Sequence, residues 1–303
     1  MKKSVFVLLV GSKEPGQTDE YQLLQEQVAL AEARRAGLEI EVVFAPAFDQ
    51  LRMIRRRLHE ARTRAVDAVV TEPASASSID MLLRDLRGKT GLVLLNAWGP
   101  AVEESASAWG DEHPFGTIST DHARIGEIQG AQVAGFVPKE GNLLCVTGPQ
   151  RSAAAEQRLA GLKSVLRRDI RVFETAAGEW TEADGIKAFH GWYGVFKARN
   201  DSIHAVAAQS DELAFGAKNA GKALQNQAHR EMFARAKYLG VDACPNYGRR
   251  LVDSGDLAAS IVTPPNTDLA IASLSAFWSD RKRLPIRVLT KAAPYPASSA
   301  PGA

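Results

Sequence analysis

The residues best suited to chemistry in this chain lie where apolar runs give way to polar turns. The stretch Ala205-Val-Ala-Ala-Gln-Ser-Asp-Glu-Leu-Ala-Phe-Gly-Ala217 opens as a short buried-strand pattern and ends at Gln209. Ser210 and Asp211 then supply a helix N-cap, and Leu213, Ala214 and Ala217 follow at helical spacing. A second copy of the design lies downstream. Tyr238-Leu-Gly-Val-Asp242 reads as a strand ending in a carboxylate, and Ser254 to Thr263 as a turn and a further strand. In open parallel sheets, ligands gather at the carboxyl ends of strands, where side chains and free N–H groups converge. Trp98 and Trp180 also fall just past strand ends, beside Asn96 and Glu179. Flat aromatics cover apolar ring faces, and planar groups such as Arg, Asp and Asn make paired hydrogen bonds to hydroxyls at a rim. The chemistry these residues offer is non-covalent capture. Each has a plainer alternative: packing for the tryptophans, a helix surface for Arg158, an N-cap for Asp211. Tyr21, at the start of the first helical pattern, is a further candidate for covering a ring.

Catalytic and metal motifs are absent. Gly11-Ser-Lys-Glu-Pro-Gly-Gln-Thr18 nearly spells a phosphate loop, but Gln17 stands where the lysine is needed and Pro15 removes an amide N–H. The six histidines show no metal-ligand spacing with each other or with the cysteines. No G-x-S-x-G elbow occurs, and no nucleophile has a partner that would activate it. The expectation is a protein with no cofactor, no metal and no catalysis.

Composition agrees with a soluble globular protein. Of 303 residues, 45% are hydrophobic and 24% charged, and a net charge of +2 gives no reason to expect a nucleic-acid partner. The cluster Arg52, Arg55, Arg56 and Arg57, with Arg62 and Arg64, reads as a solvated helix face. Two cysteines are too few for a disulfide framework, and Cys145 sits inside an apolar strand pattern. The start, Met1-Lys-Lys, has the charge of a secretory leader. The apolar run after it is short and lacks a small-residue cleavage site, so it reads better as a first core strand. No run approaches the length of a membrane-spanning helix. As written, no leader is evident and the expected compartment is cytoplasmic; the alternative is a secreted protein whose leader has been removed.

The elements that must hold these residues alternate with little interruption. Strands are expected at 4–10, 39–44, 68–72, 91–96, 116–119, 142–147, 171–176, 205–209, 237–241, 258–263 and 286–289. Helices are expected at 20–36, 50–63, 77–86, 123–136, 153–167, 181–198, 212–224, 247–253 and 268–279. Such alternation demands crossover connections and parallel sheets with helices on both faces. The strand count is about twice what one nucleotide-sized sheet needs. We therefore expect an α/β protein of two doubly wound parallel-sheet lobes, one from residues 1–120 plus 264–290 and the other from 121–263 plus 291–303. The stretch 97–115 reads as helix-poor, and Thr263-Pro-Pro-Asn266 and the region near Ile286 as two further crossing points, giving a three-stranded hinge. The Pro/Ala/Ser-rich tail from Ala292 reads as frayed or draped on the surface.

Several motifs in fixed order carry a family resemblance, strongest from Thr117 to Thr263. They are Thr120-Asp121 with Gly126, Thr147-Gly-Pro leading to Ser152-Ala-Ala, Arg158 with Gly161, Gln209-Ser-Asp-Glu-Leu-Ala-Phe-Gly-Ala217, Gly240-Val-Asp242 and Ala258-Ala-Ser-Ile261. In this order the chain resembles the type I periplasmic sugar-binding proteins, the group around ribose-binding protein, whose fold is shared with LacI-type effector domains. The resemblance implies an interlobe cleft that closes on a small polar solute, usually a monosaccharide. By the same resemblance, Arg158 donates to sugar hydroxyls, Trp180 stacks on the ring, and Asp242 is the acidic acceptor. Ser210 replaces a usual Asn and Thr263 a common Gln; in the first lobe Glu72 is a polar position. Asn96 stands where Asp is frequent, and Ala97 replaces the Arg that often follows it. With Tyr21, Trp98 and Asp211, these make the expected ligand set. The expected role is solute capture for ABC-type uptake, with a permease or membrane sensor as partner. With a leader removed, the resemblance implies a place in the periplasm. The alternative is a ligand-sensing domain of a LacI-like or signalling system without its own DNA-binding headpiece.

Overall fold

The computed structural model describes residues 2–14, 19–46, 49–60, 66–73, 76–150, 152–199 and 201–297. Arg62, Arg64, residues 15–18 of the 11–18 loop and the last residues of the tail lie outside the described residues. In chain order the elements are β1 (Ser4–Val10), α1 (Glu20–Ala36), β2 (Glu39–Ala45), α2 (Gln50–Glu60), β3 (Ala68–Thr71), α3 (Ala76–Leu86), β4 (Gly91–Leu95), α4 (Pro100–Ala108), β5 (Phe115–Thr120), α5 (His122–Phe136), β6 (Asn142–Thr147) and α6 (Ala153–Val165). There follow β7 (Arg171–Ala176), α7 (Glu182–Phe196), β8 (Ala205–Ala208), α8 (Asp211–Lys222), α9 (Gln227–Arg235), β9 (Lys237–Leu239), α10 (Gly248–Asp253), β10 (Ser260–Val262), α11 (Thr267–Asp280), β11 (Arg287–Thr290) and β12 (Ala293–Tyr295). Two compact units result. Unit 1 takes Met1–Glu14, Tyr21–Thr120 and Pro265–Thr290; unit 2 takes Pro15–Glu20, Asp121–Pro264 and Lys291–Ala303.

Unit 1 holds a six-stranded sheet of order β11-β5-β4-β3-β1-β2, parallel at every pairing. Both faces are covered, so its strands are apolar at consecutive positions. Alternation decides which side each residue serves. Phe6, Leu8, Val69, Leu92 and Leu94 pack into one core, with Ile54, Leu82, Leu86 and Val102. Val5, Val7, Leu9, Val70, Val93 and Leu95 pack into the other, with Ala29, Ala33, Ile271 and Leu274. The arginines of α2 are offset at the surface: Arg52 pairs with Asp49 (2.6 Å), Arg55 with Asp85 (2.7 Å) and Arg57 with Glu41 (2.6 Å).

Unit 2 holds a four-stranded parallel sheet, β7-β6-β8-β9. Leu144, Val146, Val206 and Ala208 face α7–α9, while Leu143, Cys145, Ala205 and Ala207 face α5 and α6. Close approach of α5 and α6 depends on two glycines. A Cβ on Gly126 would lie 2.0 Å from the Arg158 carbonyl oxygen, and one on Gly161 would lie 2.1 Å from that of Ala123. This contact fixes α6, and with it Arg158, against the end of α5 that begins at His122.

Three expectations fail in detail. The stretch 97–115, read as helix-poor, contains α4. Pro100 occupies its first turn, where no amide donor is needed, and the helix buries Val102 while Trp109, just beyond it, stacks on Phe115 at 4.5 Å. Helix α9 was not expected because its sequence lacks an apolar stripe; Phe233 is its one buried anchor. The tail is partly ordered: β12 pairs antiparallel with β10, and the Tyr295 hydroxyl donates to Asp253 at 2.8 Å. Cys145 and Cys244 are both buried free thiols.

Candidate functional site

In unit 2 the carboxyl ends of the strands gather a polar cluster around one arginine. Arg158 is only 6% exposed. Its Nη1 donates to the Gln209 carbonyl (2.5 Å), its Nε to His122 Nδ1 (3.4 Å), and its Nη2 lies 3.7 Å from Asp242 Oδ1. Gln209 ties the neighbouring elements together. Its amide donates to Ala155 O on α6, and its Oε1 accepts from the Gly148 N–H, both at 2.9 Å. Trp180 packs against that loop, where a Cβ on Gly148 would come within 2.0 Å of the indole ring. Only a glycine permits that approach. The Arg158 guanidinium sits 5.5 Å from the indole centroid, within cation–π range.

Asp242 follows β9 with φ +101°, a backbone conformation that L-residues rarely adopt. Its main chain is pinned to the next strand, since Asp242 N–H donates to Ile261 O at 2.8 Å and Thr263 N–H to Asp242 O at 3.3 Å. Asp242 Oδ1 is buried and has no hydrogen-bond partner among the described residues, only the longer ion pair with Arg158. Burial pushes the Asp242 carboxyl up, while the Arg158 charge and the Thr263 hydroxyl restrain the rise. Thr263 itself is 2% exposed. The cluster thus joins Arg158, Trp180 and Asp242 directly, with Thr263 adjoining.

Ser210 and Asp211 do less at the surface than expected. Ser210 is the N-cap of α8, its Oγ accepting from Leu213 N–H at 3.2 Å. Asp211, expected among the ligand contacts, is one residue further on, in the first turn, and turns inward. One carboxylate oxygen accepts from Ala243 N–H (2.7 Å) and the other from Ser260 Oγ (2.6 Å). With both oxygens engaged, its work is to lock the loop after β9, and so to hold Asp242. Burial, then the Asp242 charge, hold the Asp211 carboxyl well above the usual carboxylate range. Glu212 is raised in the same way, by burial and then by the Asp19, Asp242 and Asp211 charges.

Unit 1 builds a separate polar cluster at its own strand ends. Asn96, with φ +51°, donates to Glu72 Oε1 at 3.2 Å. Its Oδ1 accepts from Thr120 N–H (3.3 Å) and from Asn266 Nδ2 (3.1 Å). Glu72 Oε2 accepts from Gln22 at 3.2 Å, and its carbonyl from Gln50 at 2.9 Å. Asn266 N–H and Thr267 N–H both donate to Gln25 Oε1 (2.8 and 3.0 Å). Trp98 is 37% exposed and carries the Arg287 guanidinium 4.6 Å above its ring; Tyr21 is buried in the first turn of α1.

Sequence reasoning missed His122, Gln22, Gln25 and Asn266. None lies in a motif, and each earns its place through a partner far along the chain. Among the described residues no group of three His, Cys, Asp or Glu side chains could hold a metal ion, and no helix is long and apolar enough to cross a membrane.

Comparison with known proteins places this geometry. Residues 15–277 match the family model described as a periplasmic binding protein domain. The ribose import binding protein RbsB of Haemophilus influenzae is 26% identical over 164 residues, an alignment covering 54% of this chain and about half (51%) of that relative. A periplasmic solute binding protein of an ABC transporter from Actinobacillus succinogenes, solved with bound D-allose, superposes with a TM-score of 0.78 at 17% identity, over 98% of each chain. A solute binding protein from Bacillus halodurans, solved with myo-inositol, gives 0.76 at 16% identity, covering 98% of this chain and 96% of that one. These folds share the parallel α/β plan of type I periplasmic binding proteins, and with the model matching most of its length the chain belongs to the periplasmic binding protein family.

Proposed function

We propose that the protein is a solute-binding protein for a small, neutral, polyhydroxylated ligand, a monosaccharide or related polyol, and that it performs no catalysis. The observation that carries this reading is the joining of Arg158, Asp242 and Trp180 in unit 2. A fixed donor fork stands beside a carboxylate acceptor whose Oδ1 lacks a hydrogen-bond partner among the described residues, next to an indole. That set suits a ring with hydroxyls at its rim and C–H groups on its face. Thr263 and Ser210, the N-cap of α8, are further contacts proposed for unit 2, and Glu72, Asn96, Trp98 and Tyr21 are the ligand contacts proposed for unit 1. The relatives solved with D-allose and with myo-inositol carry ligands of the same class. In this role the protein works in the periplasm and delivers its solute to an ABC-type permease.

A thermal-shift screen tests the reading, with D-ribose, D-allose, L-arabinose, D-galactose, D-fructose and myo-inositol as probes. A ligand selective for the folded state at a hundred times its Kd adds about 2.7 kcal/mol. We expect at least one probe to raise the midpoint, and Trp180→Ala to remove that rise. No response to any neutral polyol, or an undiminished response in Trp180→Ala, would overturn the assignment.

A further inference from the structure

His122 is one of the residues that no motif marks, and its surroundings are unusual. It is 4% exposed, at the first position of α5, directly after the N-cap Asp121. Its Nδ1 accepts from Arg158 Nε at 3.4 Å. An imidazole nitrogen that accepts carries no proton, so the ring proton belongs on Nε2. Nε2 is buried and has no hydrogen-bond partner among the described residues. A buried donor left unpaired costs about 1–3 kcal/mol. A ring that served only to fill space would avoid that cost as a leucine or phenylalanine. What the imidazole supplies that those cannot is the lone pair on Nδ1.

That lone pair acts on the orientation of the guanidinium. Arg158 has three anchors, pointing to His122, the Gln209 carbonyl and Asp242. The Nε bond to His122 fixes the plane in which the two Nη groups lie, because Nε is where the planar fork joins its flexible stem. We propose that His122 is a positioning residue of the ligand site, a neutral imidazole whose Nδ1 sets the plane of the Arg158 fork for hydroxyl recognition. This rests on the reading of Arg158 as a ligand contact. The charged groups around it are consistent with a neutral ring. Arg158 faces it from α6, Asp242 pairs with that guanidinium, and Asp211 interacts electrostatically with it. Burial and the Arg158 charge hold the His122 imidazole well below its ordinary titration range. Protonation would place a donor on Nδ1 opposite the Arg158 Nε–H and abolish the bond.

The test uses the full chain and the tightest binder from the screen above, with Kd measured by calorimetry from pH 4.5 to 8 on His122→Ala and His122→Asn. Asparagine can place its Oδ1 near the position of Nδ1 and does not titrate. We expect His122→Ala to bind about tenfold more weakly at pH 7.5 and His122→Asn to stay within about threefold of the wild type. We also expect the ratio of wild-type to His122→Asn affinity to stay flat across this range, as a ring held neutral requires. Asp242 titrates in both proteins and cancels in that ratio. His122→Ala binding as tightly as the wild type, or His122→Asn binding as weakly as His122→Ala, would overturn the positioning role alone. A wild type that binds none of the six probes would overturn the proposed function and this inference together.

Discussion

Replacing Arg158 with methionine tests whether the cluster is an electrostatic unit. Methionine keeps most of the stem and removes the guanidinium. The Gln209 carbonyl then loses a 2.5 Å donor, His122 Nδ1 loses its partner, and Asp242 loses the cation 3.7 Å away. Asp242 is 7% exposed, so its charge cannot turn to solvent. Removing one member of a buried ion pair costs about 3–5 kcal/mol. For a unit of this size that corresponds to a fall in Tm of roughly 6–20 °C.

The sign of the pH dependence is the sharper check. Burial already raises the Asp242 carboxyl, with Arg158 opposing the rise. Without Arg158 the folded-state value climbs further. A raised folded pKa contributes stability that is complete below the unfolded value and is lost as pH rises through the folded value. The deficit of Arg158→Met relative to the wild type should therefore be small near pH 4 and grow towards pH 8. Adding Asp242→Asn removes the orphaned charge, so the double variant should recover most of the stability at pH 7.5 while still failing to bind the best probe. Urea unfolding followed by circular dichroism at pH 4.5, 6 and 7.5 measures this. A deficit that is the same at every pH, or a double variant no more stable than Arg158→Met, would refute the coupling.

Two further predictions use neighbouring positions. Gly148→Ala places a methyl 2.0 Å from the Trp180 ring, which must shift; we expect a change in indole fluorescence and at least tenfold weaker binding, at a stability cost of about 1–3 kcal/mol. Glu212→Gln removes a buried carboxyl whose pKa is raised by burial and then by the Asp19, Asp242 and Asp211 charges. The wild type loses that group's contribution as pH rises and glutamine does not titrate. The variant's advantage in unfolding free energy should therefore start near zero at pH 4 and grow, by about 1.4 kcal/mol per pH unit between the unfolded and folded pKa values. An advantage that shrinks with pH would show that Glu212 is held charged.

The central strands were legible because they are runs of apolar residues buried on both faces, as in Val5–Leu9 or Leu143–Val146. Helix α4 was not, since its Ser, Ala and Glu residues carry little apolar periodicity and its main anchor, Trp109, lies beyond its end. At the site, Asp242 could be found from its place after a buried strand. Arg158 sits in a helix with no local sign of what it faces and needed the family resemblance. Ser210 and Asp211 are both cap-forming types, and only the fold shows that Asp211 turns inward to Ser260, 49 positions away. His122 meets Arg158 across 36 positions. Local pattern says which residues form an element, whereas the pairing of polar groups is set by tertiary contacts that no spacing encodes.

The charge balance of unit 2 bears on the class of ligand. Asp211, Glu212 and Asp242 are all buried, and each is raised by burial together with the charge of another or, for Asp242, restrained by Arg158. Among the described residues Arg158 is the cation that meets Asp242, and it is already committed to Asp242, Gln209 and His122. A carboxylate or phosphate would add negative charge where burial already disfavours it. A hydroxyl donates to Asp242 Oδ1 and accepts from the arginine with no change in charge. In the proposed function, the residues that hold Arg158 would make the site selective against acids, which is why the proposed ligand is neutral.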